Sequence, residues 1–436
     1  MSPRPQAGLL YAWYGDDFTG STDVLEALAL YGVNAVLFTR TPDERALRRF
    51  ADCAAIGIAG ESRSRTPEWM SAHLPAVFSA MRSLGAPVNH YKVCSTFDSA
   101  PQTGSIGRAM ELGRDAFGHQ PVPIVVAAPH LGRAVVYANL FAESGGAMLR
   151  IDRHPNMRHH PVTPMTEADL RLHLASQTHL RIGLVDASAF QTGTAEQHLQ
   201  AEYDAGAQAV LFDGFNQAML DETARLIWNR AAAGQPLFAV GSSGLTYGLL
   251  RHWKERQLIL PSPSISPAAP ADRLLVLSGS CSPVTAAQIQ HAPQSGFCAI
   301  HLSGSAPDGS AQWPGPAAEA LAALKRGESV VLYTALGPQS VDEAHGDQFG
   351  AALGALLRDL VLASGVRRVV IAGGDTSTHA VQQLGLDALT FAAPLVAGVP
   401  LCRAHAQGSP LDGLELALKG GQIGPPDFFR LARDGS

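Results

Sequence analysis

The sequence predicts an α/β protein of two domains with mainly parallel sheets. Three observations carry this. Short apolar runs alternate with longer amphipathic stretches along most of the chain, as strand and helix do in βαβ units. The apolar runs end near Gly, Asp, Ser or Pro, residues that close a strand. One proline-rich stretch interrupts the alternation, after which it starts again.

In chain order, strands are expected at Leu9–Tyr14, Ala35–Thr39, Ala54–Ile58, His90–Cys94, Ile124–Ala128, Arg181–Val185, Ala209–Phe212 and Leu237–Val240. Then comes LPSPSISPAAPADR, residues 260–273, whose four prolines allow neither a helix nor a central strand. It separates a first domain, residues 1–260, from a second, residues 273–436, with 261–272 as linker. Beyond it, strands are expected at Leu274–Leu277, Ala299–Leu302, Val330–Tyr333 and Arg368–Ile371, with helical segments such as Asp347–Ser364 between them. A length of 436 residues accommodates two or three domains, each with its own core, and the single linker selects two.

Composition bounds the function. With 46% apolar and 16% charged residues the chain reads as soluble and globular. A net charge of −6 without a Lys/Arg-rich run argues against nucleic acid, because backbone binding needs a dense positive surface. The N-terminal MSPRPQAGLLYAWYGDD runs into two aspartates and offers neither a signal-peptide core nor a membrane span, so the expected location is cytoplasmic. Five cysteines without CxxC spacing read as reduced thiols. His154, His159 and His160 crowd RHPNMRHHP, where a loop is favoured over a metal site.

Ligands of open α/β sheets bind beyond the carboxyl ends of strands, so the residues after each strand are the ones to inspect. After the first stands Gly15-Asp16-Asp17-Phe18-Thr19-Gly20-Ser21-Thr22-Asp23. Two adjacent carboxylates there could take a hydroxyl proton, orient a polyol or hold a cation, while helix capping accounts for one of them. Later, Lys92, Ser95, Thr96, Asp98 and Ser99 converge at one strand end. The lysine suits an anionic small substrate and Asp98 can bind or deprotonate a hydroxyl, although an ordinary polar turn also fits. Arg63 offers a forked donor for a carboxylate, or a solvated charge.

In the second half, Ser278-Gly279-Ser280-Cys281-Ser282 and Gly373-Gly374-Asp375-Thr376-Ser377 each follow a strand and open a helix. Small residues let phosphate oxygens approach backbone N–H groups, and neither stretch has Walker or GxGxxG spacing. Leu418-Lys419-Gly420-Gly421-Gln422-Ile423-Gly424 fits a flexible turn and a phosphate cradle equally.

These motifs, in this order, resemble the four-carbon acid sugar kinase family over nearly the whole chain. The family's DDFTG appears as Asp16 to Gly20, its K-x-x-STFDS as Lys92 to Ser99 and its HPxTPM as His160 to Met165. Its SGSCS-like loop, GGxTS loop, APGVP-like segment and K-x-G-x-x-G ending are similar to Ser278–Ser282, Gly373–Ser377, Val396–Pro400 and Lys419–Gly424. The STFDS and HPVTPM wording is most similar to 3-oxo-tetronate kinases. The GNIG and PxxGR segments depart to Gly104-Ser105-Ile106-Gly107 and Pro129-His130-Leu131-Gly132-Arg133.

The resemblance implies a kinase that phosphorylates the terminal hydroxyl of a four-carbon sugar acid such as 3-oxo-tetronate, threonate or erythronate. The first domain would bind the acid and the second ATP with Mg²⁺, with the active site in the cleft between them and a hinge at the linker. In that scheme Asp17, with Asp16 as alternate, is the base, and Arg63 and Lys92 hold the carboxylate, with Ser95, Thr96 and Asp98 also on the acid. Ser280, Ser282, Gly373, Gly374, Thr376, Ser377, Gly421 and Gly424 line the nucleotide site, and no metal ligand is assigned. Sugar acid and ATP are the expected partners, without nucleic acid or membrane, and a homodimer is compatible with the reading. A sugar-acid lyase or epimerase, or a two-domain sugar-acid sensor, remains the alternative; the two glycine loops favour the kinase.

Overall fold

The computed structural model describes residues 8–160, 162–262, 264–303, 313–337 and 347–435. Residues 1–7, Pro161 and Pro263, which belong to stretches singled out above, lie outside them. The first strands are β1 (Tyr11–Gly15), β2 (Ala35–Phe38), β3 (Ala55–Ala59), β4 (Val88–Lys92) and β5 (Val122–Val125). They are followed by β6 (Arg133–Val136), β7 (Asn139–Ser144), β8 (Ala147–Arg150), β9 (Ile182–Val185), β10 (Ala209–Phe212) and β11 (Leu237–Gly241). The remainder are β12 (Leu275–Ser278), β13 (Phe297–His301), β14 (Ser329–Tyr333), β15 (Arg368–Ala372), β16 (Ala388–Val396), β17 (Val399–His405) and β18 (Glu415–Lys419).

Every strand expected from the sequence is present, with ends shifted by a few residues. Most are buried along their whole length, as parallel strands with both faces covered must be. Six strands were not expected. The meander β6–β8 is antiparallel and half exposed, so it lacks the continuous apolar runs of the others. β16 contains Pro394, which argues against a strand; irregularities in its register with β17 accommodate that residue.

The chain forms two compact units: residues 1–16, 27–34 and 51–262 make the first, and 17–26, 35–50 and 263–436 the second. The first holds a parallel sheet in the order β3-β1-β4-β11-β5-β10-β9, plus the β6–β8 meander. In the second, β13-β14-β12-β15-β18 run parallel, and β17, β16 and β2 add on antiparallel. The early strand β2 belongs to this unit because it pairs with β16 and because Thr39 donates from its hydroxyl to the Leu386 carbonyl. The described residues of the proline-rich stretch form no helix or strand, as expected. It is not a bare tether, since Ala268 is buried in the second unit's core with Leu274, Val276, Phe428 and Phe429, and the Ala271 N–H donates to the Arg433 carbonyl at 2.7 Å. All five cysteines are free thiols; burial pushes Cys53 up to about 12, away from reactivity. No helix among the described residues is long and apolar enough to cross a membrane.

Candidate active site

In the first unit the carboxyl ends of β3, β1, β4 and β11 lie side by side, with Gly15 in register with Ala59 and Lys92, and Lys92 with Gly241. β3 and β4 flank β1 on opposite sides, so the strand order reverses there and the crevice above it is the natural ligand position. Asp16 leaves β1 buried, and its carboxylate accepts from Arg63 Nε at 3.2 Å and Nη2 at 2.9 Å. The Arg63 N–H, on the short turn Ser62–Ser64 after β3, donates to the Asp16 carbonyl at 3.1 Å.

Asp16 and Arg63, both named from the sequence as site residues, are thus brought together as a pair. Two guanidinium N–H groups and both Asp16 oxygens face each other. The reason is burial: a carboxylate withdrawn from water requires a counter-charge, and the turn after β3 delivers one in forked geometry.

Lys92, the last residue of β4, is buried with the rest of that strand. Burial, aided by the Lys92 charge, pushes His90 down to about 3, so that imidazole is neutral where it meets Tyr11 Oη and the Gly241 carbonyl. Beyond β4, Ser95 and Thr96 are buried and Asp98 accepts from Thr96 Oγ1 at 2.5 Å and from Thr163 Oγ1 at 3.3 Å. Burial alone would raise the Asp98 pKa, but the Arg63 charge, the Thr96 hydroxyl and His160 together hold it below the ordinary carboxylate value. Phe97 just before it has φ +56°, a strained conformation that fixes the Asp98 position. Ser99 Oγ lies 2.9 Å from His173 Nε2, and Gln177 donates to the same Ser99 oxygen. Burial pushes His173 down to about 4, leaving it neutral.

Thr163, quoted above only as part of a family segment, and His160, read above as part of a histidine-rich loop, thus join Asp98, while His173 and Gln177 had no local signal at all. The histidine loop serves its own backbone: His160 Nδ1 accepts from the Thr163 N–H at 3.0 Å, and His154 Nδ1 is 3.3 Å from the Asn156 and Met157 nitrogens. Among the described residues no group of three or more His, Cys, Asp or Glu could hold a metal ion.

Gly104, with φ +61°, sits so close to Arg63 that an added Cβ would lie 2.3 Å from its carbonyl oxygen. Gly104→Ala is therefore expected to displace the turn carrying Arg63 and to raise KM for the acceptor about tenfold, leaving KM for the nucleotide within about twofold. Steady-state kinetics with each substrate varied in turn checks this; equal changes in both would detach Gly104 from the acceptor side.

In the second unit β12, β15 and β18 end together, Ser278 being in register with Ala372 and Ala372 with Lys419. The three glycine and serine loops consequently meet. The Gly373 N–H donates to the Lys419 carbonyl at 2.9 Å, and the Gly279 N–H to the Ala372 carbonyl at 3.1 Å. A Cβ on Gly279 would lie 2.1 Å from Thr376 Oγ1, and one on Gly421 would lie 2.7 Å from Ser280 Oγ. Ser280 Oγ accepts from the Ser282 N–H, and Ser282 caps the helix Pro283–His291. Gly373, φ +119°, precedes the helix Gly374–Leu384, whose first N–H groups point out of the helix start.

Two of the expected nucleotide-site residues make hydrogen bonds with the fold around them. Ser377 is buried, 3.5 Å from the Ile371 carbonyl, and Gly424, φ +94°, is a turn residue whose carbonyl accepts from Gln288.

Asp17 opens the helix Phe18–Leu30 and belongs to this second unit, whereas Asp16 belongs to the first. Its Oδ1 accepts from the Gly20 N–H at 2.6 Å, which is the capping role foreseen for one aspartate. Its Oδ2 lies only 3.6 Å from where a Cβ of Gly374 would stand. A carboxylate thus borders the loop at the start of the helix Gly374–Leu384.

Comparison with known proteins gives the family of both parts of the chain. Residues 11–249 match a family model described as a sugar-binding N-terminal domain, and residues 275–429 one described as a nucleotide-binding C-terminal domain. The chain is 43% identical to the 3-oxo-isoapionate kinase of Paraburkholderia graminis, over 98% of this chain and 95% of that protein. It is 32% identical to the 3-oxo-tetronate kinase of Cupriavidus necator, over 98% and 96% of the two chains. Among solved structures, one from Haemophilus influenzae, belonging to a family of unknown function, shares the fold with a TM-score of 0.70 at 22% identity, covering 97% of this chain and 98% of that one. With its two domain models and these full-length relatives, the chain belongs to the four-carbon acid sugar kinase family and is a phosphotransferase.

Proposed function

We propose that this protein uses ATP, as its Mg²⁺ complex, to phosphorylate the terminal hydroxyl of a short 3-oxo sugar acid. The observation that carries the reading is the Asp17 carboxylate, whose Oδ2 lies 3.6 Å from where a Cβ of Gly374 would stand, beside a loop that we assign to phosphate. Phosphoryl transfer asks mainly for alignment and neutralisation of charge, and a base within reach of the phosphate cradle is what such a reaction uses. The substrate O–H gives its proton to Asp17 as its oxygen bonds to the γ-phosphorus, and ADP leaves with the electrons of the broken P–O bond. Mg²⁺ would come with the nucleotide rather than from a protein site and would supply neutralisation of the charge on the transferring phosphate.

The acid falls to the first unit. Lys92 is the cation assigned to its carboxylate, with Arg63 contributing charge while paired to Asp16, and Ser95, Thr96 and Asp98 as hydroxyl partners. The greater identity to the 3-oxo-isoapionate kinase, 43% against 32%, favours that acid over 3-oxo-tetronate. An ATP-consumption assay over 3-oxo-isoapionate, 3-oxo-tetronate, threonate and erythronate tests the reading. Turnover with a 3-oxo acid is expected; acid conversion without ATP use would replace it by a lyase or epimerase, and acid binding without any turnover by a sensor.

Lys92→Met keeps the stem and removes the charge. It is expected to weaken binding of the acid by about 1.5 kcal/mol, roughly tenfold, with ATP affinity unchanged. Titration calorimetry with each ligand decides; a loss confined to ATP would make Lys92 a phosphate ligand.

A further inference from the structure

We propose that Lys419 is the positioning residue of the nucleotide loop, its side chain drawing two carbonyls inward so that the next two N–H groups face the phosphates. The inference rests on the nucleotide reading of these loops given above.

Lys419 ends β18 fully buried, and its side chain turns into the fold rather than toward a ligand. Nζ donates to Thr285 Oγ1 at 3.0 Å, to the Gly420 carbonyl at 2.9 Å and to the Gly421 carbonyl at 3.4 Å. Nζ thus meets three acceptors, all of them neutral, and among the described residues no carboxylate forms an ion pair with it. Thr285, on the helix opened by Ser282, passes its own proton to the Gly421 carbonyl at 2.8 Å, so loop and helix are fastened twice.

A trans peptide is planar, with C=O and N–H pointing in opposite directions. No cis bond occurs among the described residues. Drawing the Gly420 and Gly421 carbonyls toward Nζ therefore turns the N–H groups of Gly421 and Gln422 the other way. Among the described residues those two N–H groups donate to no protein acceptor. Gly421 at the same time closes on Ser280 Oγ, at the edge of the serine loop. Two neighbouring N–H groups held outward form the kind of concavity that binds phosphate oxygens.

Space filling alone does not account for the residue. Burial pushes the amine down to about 7, so keeping an ammonium here is costly. A methionine stem could pack against Phe428, whose ring lies 6.0 Å from Nζ, without that cost. What methionine could not do is hold the two carbonyls.

The test combines ATP titration, kinetics and hydrogen–deuterium exchange of peptides covering residues 415–424 in the full chain. In the wild type, ATP is expected to slow exchange in this loop. Lys419→Met is expected to raise Kd for ATP about tenfold or more, to abolish that protection, and to leave KM for the sugar acid within about twofold. Thr285→Val, which removes one acceptor and the second fastening, is expected to raise Kd for ATP about threefold. If Lys419→Met lowers the melting temperature yet binds ATP and protects the loop like wild type, the residue only fills space and the proposal falls. Should Lys419→Met fail to fold, an unchanged ATP affinity in Thr285→Val overturns it instead. ATP binding that leaves this loop unprotected in the wild type would sink the nucleotide reading of the loop itself, a failure distinct from the other two.

Discussion

Asp17→Asn is expected to lower kcat by about 100-fold or more while the protein folds and binds ATP normally. The substitution separates the two oxygens by function. Asparagine keeps a carbonyl oxygen where Oδ1 now receives the Gly20 N–H, so the cap of the helix Phe18–Leu30 survives. It replaces the other oxygen, the one facing Gly374, by an amide that cannot accept a proton. Single-turnover measurements at saturating ATP and acid isolate the chemical step. An unchanged kcat would remove Asp17 from the role of base. Asp16→Asn should behave differently: with both Asp16 oxygens engaged by Arg63, its loss leaves a guanidinium without its counter-charge and weakens folding before it weakens chemistry.

Gly279→Val is expected to reduce kcat/KM for ATP by about 100-fold or more, with acid affinity retained. Even the first added carbon would stand 2.1 Å from Thr376 Oγ1 and 3.2 Å from Thr376 Cβ. Because threonine is branched at Cβ, rotating its side chain does not clear the space. The serine loop and the start of the helix Gly374–Leu384 must then separate, and both carry N–H groups assigned to phosphate. Calorimetry with ATP and with the acid on the same preparation reads the split. Equal losses for both ligands would show that the variant disturbs the whole protein and says nothing particular about phosphate.

Most of the parallel strands were legible because burial on both faces leaves continuous apolar runs bounded by small or turn-forming residues; β18, parallel to β15, was not expected. The antiparallel additions were less so: β16 hides behind Pro394 and its irregular register, and the meander β6–β8 alternates too weakly to stand out. The glycine and serine loops could be read for the same local reason as the strands, since a strand end followed by small residues and a helix start is a pattern within a dozen neighbours. Side-chain partners were another matter.

Local chemistry along the chain is therefore enough for the α/β class, most of the parallel strands with the loops at their carboxyl ends, and membership in a kinase family through short motifs in order. Only the tertiary structure decided which polar groups meet. Adjacent Asp16 and Asp17 look alike in the chain, yet one is bound to Arg63 and the other caps a helix and borders Gly374. His160 and Thr163 reach Asp98 from a distant loop, and Lys419 turns inward to Thr285 rather than out to a ligand. The physical reason is the range of the forces. Periodicity and turn chemistry act between neighbours and leave their mark in the sequence, whereas the pairing of buried charges depends on which strand ends the folded sheet sets side by side.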